Sequence, residues 1–150
     1  MKKPASLRQF LIANIPELKR DPDSLLIFVE KGHIVSTLSP SLAFEYRYQL
    51  NIIITDYNAH SDTLIVPILI WVRANQYDLL QGEQNGIQFE AEILNHETAD
   101  ISITLDLSER VLVEMVDGKL VTTHLDEPPL PDLTGPIGWD MSAGGEPVVP

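Results

Sequence analysis

Cysteine is absent from this chain of 150 residues, so disulfide bonds and thiolate chemistry are excluded. Long apolar runs are missing as well. The longest, residues 64–72, is far shorter than the roughly 20 residues with which a helix spans a bilayer. At the N-terminus, Pro4 and Arg8 interrupt any signal-peptide core. We therefore expect a soluble protein without a membrane segment.

Basic residues are few, since 10 Lys and Arg face 22 Asp and Glu and give a net charge of −12. Residues 1–20 hold five of the bases and one acid, a balance of +4, so the remaining 130 residues carry −16. An acidic body argues against non-specific DNA binding, which depends on neutralising phosphates. The acidity either keeps the protein soluble or lets nucleic acid pass without sticking, and composition leaves both interpretations open.

Residues that commonly carry chemistry are not grouped. The four histidines are scattered singly, and no HExxH motif or Cys/His cluster is present. His60 and His124 each have an Asp two residues further on, which supplies two metal ligands at most. Glu90 and Glu92 alternate as acids do on a solvated strand face, which is commoner than an acid–base pair. The sequence predicts no catalytic, cofactor-binding or metal site.

Residues 44–55 alternate with a strict period of two. Phe44, Tyr46 and Tyr48 begin the apolar face, which continues through Ile54. Aromatic and β-branched residues in this pattern predict a half-buried strand. It would extend about 40 Å at ~3.3 Å per residue, so it must bend or project beyond its sheet.

The next segment, residues 64–72, is apolar on every side, and Ser61 and Asp62 are candidate N-caps before it. We interpret it as a helix that ends by Gln76 and is buried in a core or between subunits. Pro67 would kink this helix, and a strand over residues 63–72 is the competing interpretation.

The N-terminal part predicts one helix and one hairpin. Ser6 is a candidate cap of the first helix, which Pro16 interrupts. Residues 25–29 and 33–37 flank the polar turn residues 30–32, a pattern typical of a β-hairpin. The alternative is a short helix with Pro22 at its first position and Gly32 just past its end, but the β-branched content favours strands.

Two further hairpins are predicted in the second half. Residues 87–93 and 101–107 alternate as strands and are joined by a short polar segment. Asp117-Gly118 lies between residues 110–116 and 119–125 and is the strongest short hairpin signal in the chain.

The character changes at Asp126. Residues 126–150 contain six prolines, four glycines, five acids and no base, a composition that predicts an extended or disordered tail after a single domain over residues 1–125. Trp139 is an aromatic anchor within it. The tail is either a loose terminus or a strap that docks on a neighbouring subunit or partner.

The long strand, the apolar helix and the anchored tail are features of a subunit that completes its burial in an assembly. The interface candidates are Tyr46, Tyr48, Trp71, Arg73 and Trp139.

Several segments together resemble the tail completion protein R family of contractile-tailed bacteriophages. The resemblance runs from about residue 4 to residue 130 and departs from the expected pattern at Pro16. The segments that carry it are residues 26–38, 41–57, 64–80 and 100–113, the Asp117-Gly118 turn and residues 127–129.

The resemblance implies a structural virion protein, without enzymatic activity or cofactor, that acts late in tail assembly and readies the tail for the head. It also implies kinship with tail terminators. We therefore expect an α+β fold in which a mostly antiparallel mixed sheet with long hairpins is flanked by two helices, and a six-membered ring on the tail tube.

The expected partners are further copies of the chain and the tail tube, with sheath and head-connector proteins as additional candidates. The expected location is the virion tail, assembled in the bacterial host cytoplasm. DNA would pass through the ring without being specifically bound, and no membrane is involved. Acidic residues facing the lumen would repel DNA. The lumen-facing candidates are Glu83, Glu90, Glu92 and Asp106.

Two alternatives remain at this point. A monomeric acidic module, similar to an inhibitor or immunity protein, would cover a basic partner and would cluster its acids in one patch. A small hydrolase or metal enzyme with an unfamiliar site is the second alternative, and it would retain a stoichiometric metal.

Overall fold

The computed structural model describes residues 1–36, 40, 42–81 and 87–126. It confirms the predicted α+β class. Every pairing among the described strands is antiparallel, and three α-helices are present in this part of the chain where we expected two. The helices are α1 (Lys3–Asn14), α2 (Pro16–Arg20) and α3 (Asp62–Asn75), with 3₁₀ turns at Pro22–Ser24 and Tyr77–Leu80. The strands are β1 (Leu25–Ser36), β2 (Phe44–Tyr57), β3 (Gln88–Ile93), β4 (Ala99–Val116) and β5 (Lys119–Leu125).

The five strands form one sheet in the order β1-β2-β4-β3, and β5 pairs with the far end of β4. The predicted long strand is β2, and its alternation is confirmed. Leu50, Ile52 and Ile54 are fully buried, while Arg47 on the other face is exposed. The strand bends at its end, where the register shifts after Ile54 and Asp56 has a φ of 52°.

The hairpin predicted over residues 25–37 is wrong. Leu25–Ser36 is one continuous strand that pairs with β2 along its whole length. Glu30 is accommodated as a bulge, since the register shifts between Val29 and Lys31. Gly32 has no positive φ and makes no turn, and a side chain there would meet the Cβ of Tyr48 at 3.3 Å. The small residue thus permits close approach of β2 rather than a reversal of the chain.

The two hairpins predicted in the second half are confirmed. β3 pairs with β4 from Gln88↔Thr104 to Ile93↔Ala99, and β5 pairs with β4 from Val116↔Lys119 to Arg110↔Leu125. The segments predicted as separate strands at 101–107 and 110–116 are one strand of 18 residues.

The turn between β4 and β5 is the predicted Asp117-Gly118 pair. Both residues have positive φ, 50° and 77°. Positive φ at both central residues matches the twist of the flanking strands, which is why this dipeptide favours a two-residue turn.

The proline predicted to interrupt the first helix does so. Ile15 is extended between α1 and α2, and Pro16 opens α2, where its missing N–H costs no hydrogen bond. Ser6 does not cap α1, because the helix already begins at Lys3. The Ser6 hydroxyl instead accepts a hydrogen bond from Trp71 Nε1 at 3.1 Å.

The segment around Pro67 is helical, so the strand interpretation is wrong. Ser61 is the N-cap residue of α3, although its side chain makes no capping hydrogen bond, and Gln76 follows the last helical residue. Pro67 lies inside the helix. One side of α3 is buried, and the opposite side is exposed in the single chain.

The core lies between the helices and one face of the sheet, which we call the inner face. Trp71 is 2% exposed and is among its largest side chains. The other fully or nearly fully buried apolar residues include Leu7, Leu11, Ile15, Leu18, Leu50, Ile52, Leu64, Ile68, Ile103 and Leu105.

No helix within the described ranges is long and apolar enough to cross a membrane. The tail predicted after residue 125 lies outside the described residues except for Asp126, so that prediction stays untested.

Candidate functional site

An apolar groove opens between α3 and β3 at the edge of the sheet. It has a volume of about 640 Å³. Ile65 and Leu69 of α3 line one wall, and Phe89, Ala91 and Ile93 of β3 line the other. The groove exists because β3 extends the inner face beyond the region that the helices cover. As a result, Phe89 and Ile93 are 68% and 78% exposed.

The groove contains little polar chemistry. Asp62 is its sole charged lining residue among those described, and it stands at the first position of α3. His60, close to this point, accepts a hydrogen bond at Nδ1 from the backbone N–H of Asp62 at 3.1 Å. This histidine therefore supports the start of the helix. The groove is suited to apolar contact rather than to catalysis.

The outer face of α3 is the second apolar surface. Val66 and Ile70 are each about half exposed, and Leu69 connects this face to the groove. The sequence predicted a helix apolar on every side, and in the single chain its outer side has no cover within the described residues. A helix of this kind is normally buried on the outer side as well.

The third apolar surface is a projecting hairpin. β2 ends at Phe44 opposite Val111, and beyond this point β4 pairs only with β5 among the described strands. We call residues 112–123 the arm. Met115 and Leu120, directly paired, are 66% and 62% exposed on the side that continues the inner face. Leu112, Val116 and Val121 are exposed on the other side, so the arm is apolar on both faces.

The face of the sheet opposite the core holds most of the predicted acidic candidates. Glu90 and Asp106 share this face, because their pairing partners Ser102 and Gln49 both point away from the core. Glu92 lies next to Asp100 on the same face. All three candidates are exposed, whereas Glu83 lies outside the described residues. The common face is consistent with the lumen hypothesis, which stays a prediction.

The predicted interface residues separate into three groups. Tyr48 and Trp71 lie in the core, where their side chains pack within the chain and offer little surface to a neighbour. Tyr46 is half-buried and stacks on His124 with ring centroids 6.4 Å apart. Arg73 is exposed near the end of α3, and Trp139 lies outside the described residues. No contact with another molecule tests their interface role.

Sequence reasoning missed a buried polar cluster at the root of the arm. Glu109 is 4% exposed, although its neighbours in sequence alternate as an ordinary strand. Its carboxylate accepts hydrogen bonds from the backbone N–H of Lys2 at 2.7 Å, the backbone N–H of Lys3 at 3.3 Å and the Tyr48 hydroxyl at 2.5 Å. His124 Nδ1 lies 3.5 Å from the same carboxylate. The cluster joins the start of α1 to β2, β4 and β5.

The surroundings of this cluster shift the pKa values of Glu109 and Tyr48 in opposite directions. For Glu109, burial alone would raise the pKa, but the donated hydrogen bonds and the nearby amino terminus outweigh burial and hold the pKa below its ordinary value. For Tyr48, burial and the adjacent carboxylate both raise the pKa. Glu109 is therefore an ionised structural residue near neutral pH, in a position where its charge is satisfied by donors.

A second group of polar side chains lies along the edge of β4, between the part of β4 that pairs with β3 and the part that pairs with β5. Gln76 Oε1 accepts the backbone N–H of Ser108 at 2.9 Å, and Lys3 Nζ donates to the Ser108 carbonyl at 2.7 Å. Lys3 Nζ also donates to Gln76 Oε1 at 2.6 Å. These side chains replace the missing strand at this position, so the backbone of Ser108 is satisfied.

The described part of the chain holds no group of three or more His, Cys, Asp or Glu side chains that could bind a metal ion. Its distinctive features are the groove, the outer face of α3 and the arm. The site that the geometry supports is therefore a set of interaction surfaces.

The chain is similar to known proteins over most of its length. The family described as P2 phage tail completion protein R (GpR) matches residues 1–128. The curated protein named "Tail completion protein R" of Escherichia phage P2 is 49% identical over 135 residues, which cover 88% of this chain and 87% of the relative. No solved structure matches the chain. The match covers all three apolar surfaces.

Proposed function

Because the chain belongs to the P2 phage tail completion protein R family, we propose that it completes the phage tail by capping the end of the tail tube as a ring of six copies. Its family makes it a structural protein of a phage tail, and the resemblance drawn from the sequence is confirmed. The ring, the capping of the tube and the preparation of the tail for the head are the proposed details.

One observation carries the proposal: the single chain exposes separate apolar surfaces at distant places on one sheet. The groove lies beside β3, and the arm lies at the other end of β4. Different surfaces at two ends of a subunit suit head-to-tail contacts, and such contacts form a ring when the rotation closes. Large exposed apolar patches on a single chain commonly mark sites of protein contact.

The acidic face of the sheet supports the proposal that DNA passes through the ring. Glu90, Glu92 and Asp106 share the face opposite the core, where they would line the lumen if this face turns inward. Like charges would then keep DNA mobile, in a manner that salt weakens. The partners in this proposal are further copies and the tail tube, with sheath and head-connector proteins next to them, and assembly takes place in the host cytoplasm.

Light scattering on the purified protein tests the ring. We expect a mass of six times 16.8 kDa, about 101 kDa, over a dilution series at two salt concentrations. Electron microscopy of tails from a phage that lacks this chain, with and without the chain supplied in trans, tests the capping role. We expect tails of defined length joined to heads only when it is supplied. Normal tails without it contradict the function, and a monomer absent from tails favours an acidic binding module.

A further inference from the structure

No described residue of the single chain covers the exposed faces of the arm. Residues 112–116 and 119–123 form a two-stranded ribbon, and such ribbons are marginally stable in water unless a surface covers them. Met115 and Leu120 on one face are both more than 60% exposed. A hairpin that only reached into solvent would carry polar residues at these positions.

The groove is a second apolar surface that the described residues leave exposed. Phe89 and Ile93 stand on an edge strand with the inner-face orientation of core residues, but none of the described helices covers them. Ile65 and Leu69 form the opposite wall, so the opening is bounded on two sides by aliphatic and aromatic groups. Its volume of about 640 Å³ is large enough to receive several apolar side chains.

The arm of a chain does not reach the groove of the same chain. Ile101 lines the groove and Met115 lies on the arm, and both belong to the unbroken strand β4. At ~3.3 Å per residue, the 14 residues between these positions separate them by about 45 Å. An arm that occupies a groove must therefore come from a second copy.

Charge favours these two surfaces for contact between copies. The chain carries −12, so two copies repel each other over most of their surface. The arm holds Glu114, Asp117 and Lys119, a net charge of −1, and the groove lining holds Asp62 alone among the described residues. Copies can approach at these places with little repulsion.

We propose that the arm of one copy seats in the groove between α3 and β3 of the neighbouring copy. This inference rests on the proposed ring and names the contact that closes it. Each subunit then donates an arm on one side and receives an arm on the other, which is a heterologous contact. The exposed side chains of Met115 and Leu120 contact Phe89 and Ile93 of the neighbour.

Charge substitutions test the contact. Leu120→Glu alters the arm, Phe89→Glu alters the groove, and Gln9→Glu adds the same charge to an exposed position of α1 as a matched control. We expect each of the first two to reduce the self-association constant at least tenfold, while the control keeps the wild-type value. Because both sites are highly exposed, the fold should tolerate the changes, which circular dichroism checks.

Mixing the two variants gives a sharper result. Leu120→Glu retains an intact groove, and Phe89→Glu retains an intact arm. In an equimolar mixture, the arm of one variant can therefore seat in the groove of the other. We expect dimers in the mixture and monomers in each variant alone. Rings from either variant alone, or monomers in the mixture, would overturn the contact.

Cross-linking extends the test to assembled tails. The natural chain has no cysteine, so a Met115→Cys/Phe89→Cys double variant supplies the reactive thiols. Under mild oxidation we expect covalent multimers, and a Met115→Cys/Gln9→Cys control should give none. Absence of multimers in both free protein and tails refutes the arm–groove contact even if rings form. Failure to form rings or to enter tails refutes the proposed function instead.

Discussion

Replacing Glu109 with Gln removes a buried negative charge that joins the N-terminus of the chain to the sheet. The carboxylate accepts from two backbone N–H groups and one hydroxyl, those of Lys2, Lys3 and Tyr48. An amide has one oxygen and one NH₂ group, so at least one of these donors would face another donor. The substitution keeps the shape of the side chain and changes the charge and the hydrogen bonding.

The expected cost follows from the burial of the group. A hydrogen bond to a charged partner contributes about 1.5–3 kcal/mol, and an orphaned buried donor loses a similar amount. Because Glu109 is 4% exposed, solvent screens these contacts little. We expect a loss of about 3 kcal/mol at pH 7. For a chain of this length, each kcal/mol shifts the melting temperature by roughly 2–4 °C, so the variant should melt about 10 °C lower.

The pH dependence has a definite sign. The folded pKa of Glu109 lies below its ordinary value, so its carboxylate stabilises the fold fully above the unfolded pKa of about 4.3. This contribution is lost as the pH falls through the folded pKa. The difference between wild type and Glu109→Gln should thus be constant near neutrality and shrink below about pH 4. Two other titratable groups, the amino terminus and His124, also face the Glu109 carboxylate.

Urea unfolding followed by circular dichroism at pH 7, 5 and 3 measures this difference. Glu114→Gln, an exposed position on the arm, removes the same charge and should change stability by less than about 0.5 kcal/mol. Equal stability of wild type and Glu109→Gln at pH 7 would refute the reasoning. A difference that grows as the pH falls would refute it as well.

Three further changes have clear expected outcomes. Trp71→Ala should cost about 3–5 kcal/mol in urea unfolding because the ring is in the core, with Trp71→Phe costing less; a loss below 1 kcal/mol would contradict the core position. Gly118→Ala should cost about 1–2 kcal/mol through its φ of 77°, although a Cβ there meets no atom within 4 Å, and Lys119→Ala is the control. Removing residues 127–150 should leave the unfolding midpoint unchanged. If that segment is a strap, the deletion should weaken assembly as measured by light scattering, and unchanged assembly would refute the strap hypothesis.

The sequence predicted the parts of the fold that local pattern controls. The alternation of β2, the apolar helix α3 and the Asp117-Gly118 turn all depend on neighbouring residues, and all three are confirmed. The failure at β1 has a non-local cause. In the local pattern, Gly32 favours a turn. β2, however, is long enough to pair with residues 25–36 along their whole length, and this pairing forms in place of the local hairpin.

The candidate surfaces were predictable only in part. The sequence shows an excess of apolar residues in α3 but not which of them the sheet covers. It therefore predicts Trp71 as an interface candidate, whereas the structure places this ring in the core. The groove depends on β3 extending past the helices, which follows from strand order. The burial of Glu109 is not predictable from the local sequence because its donors, Lys2 and Lys3, are more than 100 residues away in the chain.

The continuity of β4 has a mechanical consequence. Tension applied to the tip of the arm passes along one covalent strand into the body, where residues 101–111 are bonded to β2. A pull along the strand axis shears these hydrogen bonds together instead of opening them one after another. The anchor of the arm in the body should therefore yield only at high force. Single-molecule pulling between Asp117 and Tyr57, at the far end of β2, would measure that force.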